Sequence, residues 1–291
     1  MFPGNEFFRR LSDRPCHRDG GASLLVLVVL ITGASMVSLV QHAQMQRTFV
    51  LRELRGDVEL EAALFLGLET AMRLLSDHTL AFPEDPFPPE MASEALRADN
   101  GAAVRLSFRD AQDRFDLNWL RHQGVPQESF GHLFRAAGLR GTLRDLDAWA
   151  DNPPLLESVD AFALSFPEAE VWLAGPLRED LTALPLPSSG VLPLNVNAVD
   201  ADRLSRMLGE NLRGWTDMLM QMREPEPLRD LSAAFALLPA PVAAALQPYL
   251  DVRSKYFEVR IEVEYDAFAA TGYGLLRRLD DGTVEVVQCR W

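Results

Sequence analysis

From Gly20 to Val40 the chain runs for 21 residues without a charge, and from Ala22 onward that run is apolar enough for a lipid interior. A helix of about 20 such residues covers the roughly 30 Å of bilayer hydrocarbon, so the pattern predicts one membrane-spanning helix. Beyond it Leu51, Leu54, Val58, Phe65, Leu68, Met72 and Leu75 recur at three- and four-residue spacing, with Glu61 the one polar residue in the seam. No proline interrupts Ala22 to Ala81. The spacing therefore predicts a single helix of about 50 residues, half in lipid and half laid on a folded body, with a stalk or coiled coil as the alternative. The four prolines of "AFPEDPFPPE" (81–90) end it.

The period then changes. "AAVRLSF" (102–108) has strand character, and residues 119–247 read as short helices parted by Gly and Pro: 127–137, 142–150, 200–208, 211–222, 228–237 and 240–247. Asp200 is placed to cap the helix at 200–208. "LPLPSSG" (184–190) is a loop. In "KYFEVRIEVEY" the residues Phe257, Val259, Ile261, Val263 and Tyr265 alternate with Glu258, Arg260, Glu262 and Glu264. That is a half-buried antiparallel strand. "TGYGLLRRL", the turn at Asp280-Asp281-Gly282 and "TVEVVQC" complete a meander. The fold class expected is α+β: a long N-terminal transmembrane helix packed on a small antiparallel sheet, with a large α-helical insertion. No internal repeat is visible.

Charge sets the topology. Arg9, Arg10, Arg14 and Arg18 precede the apolar run, whereas the first cation after it is Arg47. The positive-inside rule puts the N-terminus in the cytoplasm and the body outside the inner membrane, in a bacterial reading the periplasm. A discarded secretory signal is the competing reading, but its apolar region is shorter, ~7–15 residues, and ends in an A-x-A-like site. Here the run passes instead into Gln41, His42, Gln44 and Gln46. The pair Gly20-Gly21 at the cytoplasmic edge is where a prepilin peptidase would cut, between Gly21 and Ala22; alternatively it breaks the helix before the membrane. A formal net charge of −14 repels phosphate backbones and argues against nucleic acid. Cys16 and Cys289 lie on opposite sides of the membrane, which excludes a disulfide within the chain.

No catalytic set emerges. The histidines (His17, His42, His78, His122, His132) offer only a loose His122/His132 pair, and neither a phosphate loop nor G-x-S-x-G occurs. "RFDLNWL" (114–120) and "LPLNVNAVDADRLSRML" (192–208) each set Asn beside apolar residues ahead of a helix. Asn118, Asn195 and Asn197 are expected to satisfy turn and helix-start amides. The second segment also looks like the entry to a helix-hairpin-helix unit, but cations are sparse and no G-x-G hairpin follows. In "LRDLDAWADNPPLLESVD" (143–160) the carboxylates Asp145, Asp147, Asp151, Glu157 and Asp160 are oxygen donors for a hard cation such as calcium, without the spacing of an EF-hand. A solvated loop is the alternative.

These pieces, in this order, resemble the K-type minor pseudopilins of type II secretion (the general secretion pathway protein K family). The resemblance rests on Gly21 followed by "ASLLVLVVL", on "RFDLN" with Phe115 and Asn118, on "DAWAD", on "LNVNA" with Asn195 and Asn197, and on "SKYFEVRIEVE" with Tyr256 and Phe257. It implies a non-enzymatic assembly protein whose long helix packs on a pseudopilin sheet bearing a helical insertion. It divides the chain into a cytoplasmic leader (1–21), a transmembrane helix (22–42), the helix's periplasmic continuation (43–80), a body of 81–118 and 250–291, and an insertion of 119–249. It implies prepilin peptidase cleavage after Gly21, methylation of Ala22, and a tip complex with I-, J- and H-type minor pseudopilins that initiates the pseudopilus. Two departures stand out. The family's D-W-x-D segment continues into a Gly- and Tyr-bearing stretch tied to calcium, whereas here "DNPPLLESVDAF" follows, leaving Asp151, Glu157 and Asp160 as its remnant ligands. Ordinary pseudopilins carry Glu at the fifth residue after the cut; here that filament-packing position is Val26. The alternatives kept open are a single-pass anchored periplasmic scaffold or binding domain, and a type IV pilus minor pilin.

Overall fold

The computed structural model describes residues 19–81, 90–92, 96–122, 125–138, 155–165, 173, 175–185 and 191–291. One helix, α1 (Asp19–Ala81), runs unbroken for 63 residues and contains Gly20 and Gly21 within its first turn. The glycine pair therefore does not break the helix, and α1 is longer than the expected 50 residues. It stops where the proline-rich segment begins. By Cα proximity the chain forms two units, Met1–Val58 and Glu59–Trp291.

In the first unit every apolar side chain described from Leu24 to Val58 is exposed. Leu24–His78 contains the one stretch among the described residues long and apolar enough to cross a membrane. Its hydroxyls return to the helix itself: Thr32 Oγ1 donates to the Val28 carbonyl and Ser35 Oγ to that of Ile31, both at 2.8 Å. A polar group in hydrocarbon needs such an internal partner.

In the second unit the helix lies on an antiparallel sheet. Its strands are β1 (Glu90–Ala92), β2 (Leu96–Arg97), β3 (Ala103–Asp110), β8 (Tyr256–Tyr265), β9 (Phe268–Arg278) and β10 (Val284–Arg290). The order is β1–β3–β8–β9–β10, with β2 pairing the far end of β3. Val104, Leu106 and Phe108 stand opposite Val263, Ile261 and Val259, so one buried face runs across β3 and β8. The helix meets it with Leu60, Ala63, Leu64, Leu68, Ala71 and Leu75. This corrects the expected seam. Leu68 and Leu75 are buried, but Leu51, Leu54, Val58 and Phe65 are exposed, because the stripe on the sheet includes small residues. A Cβ at Gly67 would lie 2.5 Å from Ile261 Cγ2, and one at Gly274 would lie 3.0 Å from Leu68 Cδ1. Those two glycines let side chains of the facing element press against the bare backbone of helix and strand.

Between β3 and β8 the chain leaves the sheet. It forms β4 (Phe115–Asp116), β5 (Leu181–Thr182), β6 (Leu194–Asn195) and β7 (Leu250–Asp251), paired parallel as β4–β5 and β6–β7. It also forms α2 (Val125–Ala136), α3 (Val159–Ser165), α4 (Ala201–Leu208), α5 (Arg213–Arg223), α6 (Ser232–Phe235) and α7 (Ala240–Leu246). These elements enclose their own core, in which Phe115, Phe130, Phe134 and Phe162 pack with Leu204 and Leu219. Asp200 caps α4 through its side chain, accepting from Arg203 N at 2.7 Å. The helix expected at 228–237 shrinks to α6. Leu228 lies outside it, with its N–H and its carbonyl both bonded to Asn197, and an Asp230 turn onto Ser232 N delays the start. The helix expected at 142–150 lies outside the described residues.

Candidate functional site

The segment leaving β3, "DAQDRFDLN" (110–118), carries five buried polar residues: Asp110, Gln112, Asp113, Asp116 and Asn118. A buried polar group is costly unless it is hydrogen-bonded, and their partners show what this segment does. Asp110 accepts from Gln112 N at 2.8 Å, from Asn195 Nδ2 at 2.7 Å and from Ser254 Oγ at 2.6 Å. Gln112 donates through Nε2 to the Pro193 carbonyl at 2.5 Å and accepts at Oε1 from Tyr256 N at 3.1 Å. Three chain passages, at 110–112, 193–195 and 254–256, are thus tied in one knot where the helical block joins the sheet.

Asn118 works in the same way deeper in the block. Its amide donates to the carbonyls of Leu156 and Leu184 at 2.9 and 2.8 Å and accepts from Leu156 N at 2.8 Å. Asn197 donates to the carbonyls of Leu228 and Val252 at 2.8 and 3.0 Å and accepts from Leu228 N at 2.9 Å. Asn195 forms a local turn, with Oδ1 accepting from Asn197 N at 2.9 Å, while its other end holds Asp110. So one contact of Asn195 is the local kind expected of these asparagines, whereas Asn118 and Asn197 tether distant backbone.

An ionic cluster surrounds the knot. Asp113 is approached by Arg109 at 3.0 Å, Arg114 at 3.0 Å and Arg203 at 3.2 Å. Arg203 continues to Asp180 at 2.9 Å, which Arg206 also holds at 2.8 Å. Arg114 Nη2 lies 2.6 Å from Glu258 Oε1 on β8. The arginines on α4 are thereby coupled to the sheet through carboxylates.

Two carboxyls carry the electrostatic strain. Burial pushes Asp116 up to about 7, opposed by hydrogen bonds from Asn118 and Leu184, and its Oδ2 is buried with no hydrogen-bond partner among the described residues. Burial pushes Asp110 up to about 6, opposed by Ser254, Asn195 and Gln112 and assisted by the nearby charge of Asp113.

The other residues singled out in the sequence fall as follows. Phe115 sits in the core of the helical block, and Phe257 in that of the sheet. Tyr256 is buried at the junction and donates its hydroxyl to the Pro185 carbonyl at 2.7 Å. Gly21 and Ala22 are helical, and Val26 is exposed on α1. Glu157 and Asp160 are exposed, and Asp160 is held by Arg178 at 2.7 Å. Asp151 lies outside the described residues. Among the described residues no three His, Cys, Asp or Glu side chains are placed to hold a metal, and a cation at Asp160 would have to displace Arg178. What sequence reading missed is Asp110, the carboxylate of the knot, with Ser254, and the buried Asp116 beside Asn118. The available signal was the tight alternation of Asp with Phe, Leu and Ala in "DAQDRFDLN".

No family model matches the chain, and no curated protein matches it either. Among solved structures, a chain from the GspK-GspI-GspJ complex of the enterotoxigenic Escherichia coli type 2 secretion system aligns with 84% of this chain and 98% of its own length, at a TM-score of 0.56 and 17% identity. The likeness is one of fold: a long N-terminal apolar helix, an antiparallel sheet and additional helices in a pseudopilin-like α+β arrangement.

Proposed function

We propose that this chain is a minor pseudopilin of a type II secretion system, the K-type subunit at the tip of the pseudopilus. The observation that carries the reading is the alignment with nearly the whole of a chain from such a complex, at an identity too low to leave much but the fold. Its work is assembly rather than catalysis. Helix α1 anchors it in the inner membrane with the N-terminus cytoplasmic and the body periplasmic, as the arginine asymmetry requires. Prepilin peptidase removes residues 1–21 and the new N-terminus at Ala22 is methylated. The body joins I-, J- and H-type minor pseudopilins to initiate the filament. The buried knot serves this by holding the helical block at a fixed attitude on the sheet, so that partners meet one rigid surface.

Co-expression of the full-length chain with its system's smaller minor pseudopilins tests the reading. A stoichiometric detergent-extracted complex is expected. N-terminal sequencing of the membrane-extracted protein should begin at Ala22. A Met1 start in cells that contain the peptidase, with no co-purifying pseudopilin, would favour the one competitor that Val26 supports, a single-pass anchored scaffold that never polymerises.

A further inference from the structure

The sheet's outer face, away from α1, borders a cleft of about 580 Å³ whose opposite wall is residues 157–160, Arg178 and residues 182–184. Its lining includes Arg109, Arg114, Arg178, Arg260 and Arg290, a concentration of cations on a chain with a net charge of −14. Three of these are already engaged: Arg109 by Asp113, Arg114 by Asp113 and Glu258, Arg178 by Asp160. Arg260 and Arg290 are different. In the strand register both stand opposite Tyr273, one on β8 and one on β10, so a half-exposed aromatic ring is flanked by two guanidiniums in a single cross-strand row. Arg290 stacks over that ring at 5.5 Å and has no acidic partner among the described residues. Arg260 meets Glu262 at 2.6 Å, but both side chains are more than two-fifths exposed, and so solvated a pair is easily exchanged.

We propose that this row binds an extended, carboxylate-bearing segment of a partner protein. A planar guanidinium held against a ring loses little freedom on taking a carboxylate side-on, which makes such a pair specific as well as favourable. The remaining lining decides against other anions. Glu157 faces the cleft beside Asp160 and Glu258, so a continuous polyanion would meet carboxylates along its length, whereas a peptide can set its acidic residue on the row and a neutral or basic one against Glu157. Recognition falls to side chains rather than to added strand pairing. β10 is the end strand of the sheet order, but its register shifts between Val286 and Gln288, and a bulged edge resists a further strand. The inference does not depend on the assembly role.

The test uses the detergent-solubilised full chain and a fluorescein-labelled octapeptide of alternating glutamate and serine, followed by anisotropy near physiological salt, where the chain's long-range negative field is screened beyond about 8 Å. Saturable binding is expected. The double variant Arg260→Gln/Arg290→Gln should weaken it by about tenfold or more. Arg105→Gln, on the same sheet face but outside the cleft lining, should leave it unchanged, and circular dichroism of all variants should match. Absence of saturable binding, or equal binding by the double variant, overturns the proposal. So does an oligothymidylate or inorganic phosphate that binds as tightly and needs the same two arginines.

Discussion

Asn118 makes three hydrogen bonds to backbone that is otherwise buried. Asn118→Ala strands one N–H and two carbonyls, so a loss of about 2–5 kcal/mol is expected in denaturant titration. Asn197→Ala, at a half-buried site, should cost less, about 1–3 kcal/mol. A reversed order would mean the Asn118 clamp is not carrying the block. Asp116 gives the second residue-scale prediction. Its folded-state pKa, about 7, is raised above the ordinary 3.8, so the folded chain binds its proton more tightly than the unfolded chain. The resulting stability is complete below about pH 4 and is lost as pH rises through 7; Asp110, raised to about 6, acts in the same sense. Asp116→Asn, neutral throughout, should raise the unfolding free energy at pH 8 by on the order of 2–4 kcal/mol, and with it the unfolding midpoint, and flatten the change down to pH 5. A midpoint that falls at pH 8 would sink this reading. The asparagine motifs were legible in the sequence because residue type and neighbours are local. Their partners were not, since Asn118 reaches 38 and 66 residues along the chain.

At the scale of elements, periodicity located α1, the two long strands and most short helices, and it placed Leu68, Met72 and Leu75 on the buried side of α1 but misplaced Leu51, Leu54, Val58 and Phe65. The reading weighted large side chains, whereas the contact is built on Ala63, Gly67 and Ala71, whose value lies in what they leave out. Gly67→Ala measures this. Helix propensity alone favours alanine by about 1 kcal/mol, but the new Cβ would sit 2.5 Å from Ile261 Cγ2 and 3.2 Å from Val104 Cγ1. β-branched side chains yield little, so a net loss of about 1–3 kcal/mol is expected. Ile261→Ala in the same chain should recover part of it. A Gly67→Ala chain more stable than the parent would show that helix and sheet are not in such close contact. The parallel pairs β4–β5 and β6–β7 were invisible beforehand, since two-residue strands carry no period.

For the whole molecule, the α+β arrangement with a helical block nested between sheet strands was readable from the order of periods along the chain. The site was less so, because it is assembled from three separated passages. The prediction at this scale concerns Val26. A carboxylate in the membrane core costs ~2.5–3.5 kcal/mol on insertion scales and is useful only where a neighbour's amine neutralises it. The tip subunit we propose would have no neighbour ahead of it, so on that proposal Val26→Glu should leave secretion unchanged or reduce it, and the chain should cross-link at about one copy per filament. Repetition along the shaft, or improved secretion by the variant, would contradict the tip assignment.

The knot at the junction also bears on the order of events expected in folding. β3 cannot pair with β8 until a very long loop has closed, since Ser254 and Asp110 are 144 residues apart. For a flexible chain of that length, closure costs roughly 4 kcal/mol beyond its fixed part. A helical block that condenses first on its own core brings the loop's two ends together before the sheet is attempted. β8, joined to β9 and β10 by local hairpins, can then pair with a waiting β3. The block is in effect a folding template for the sheet, and its loosening should slow sheet formation more than it speeds unfolding.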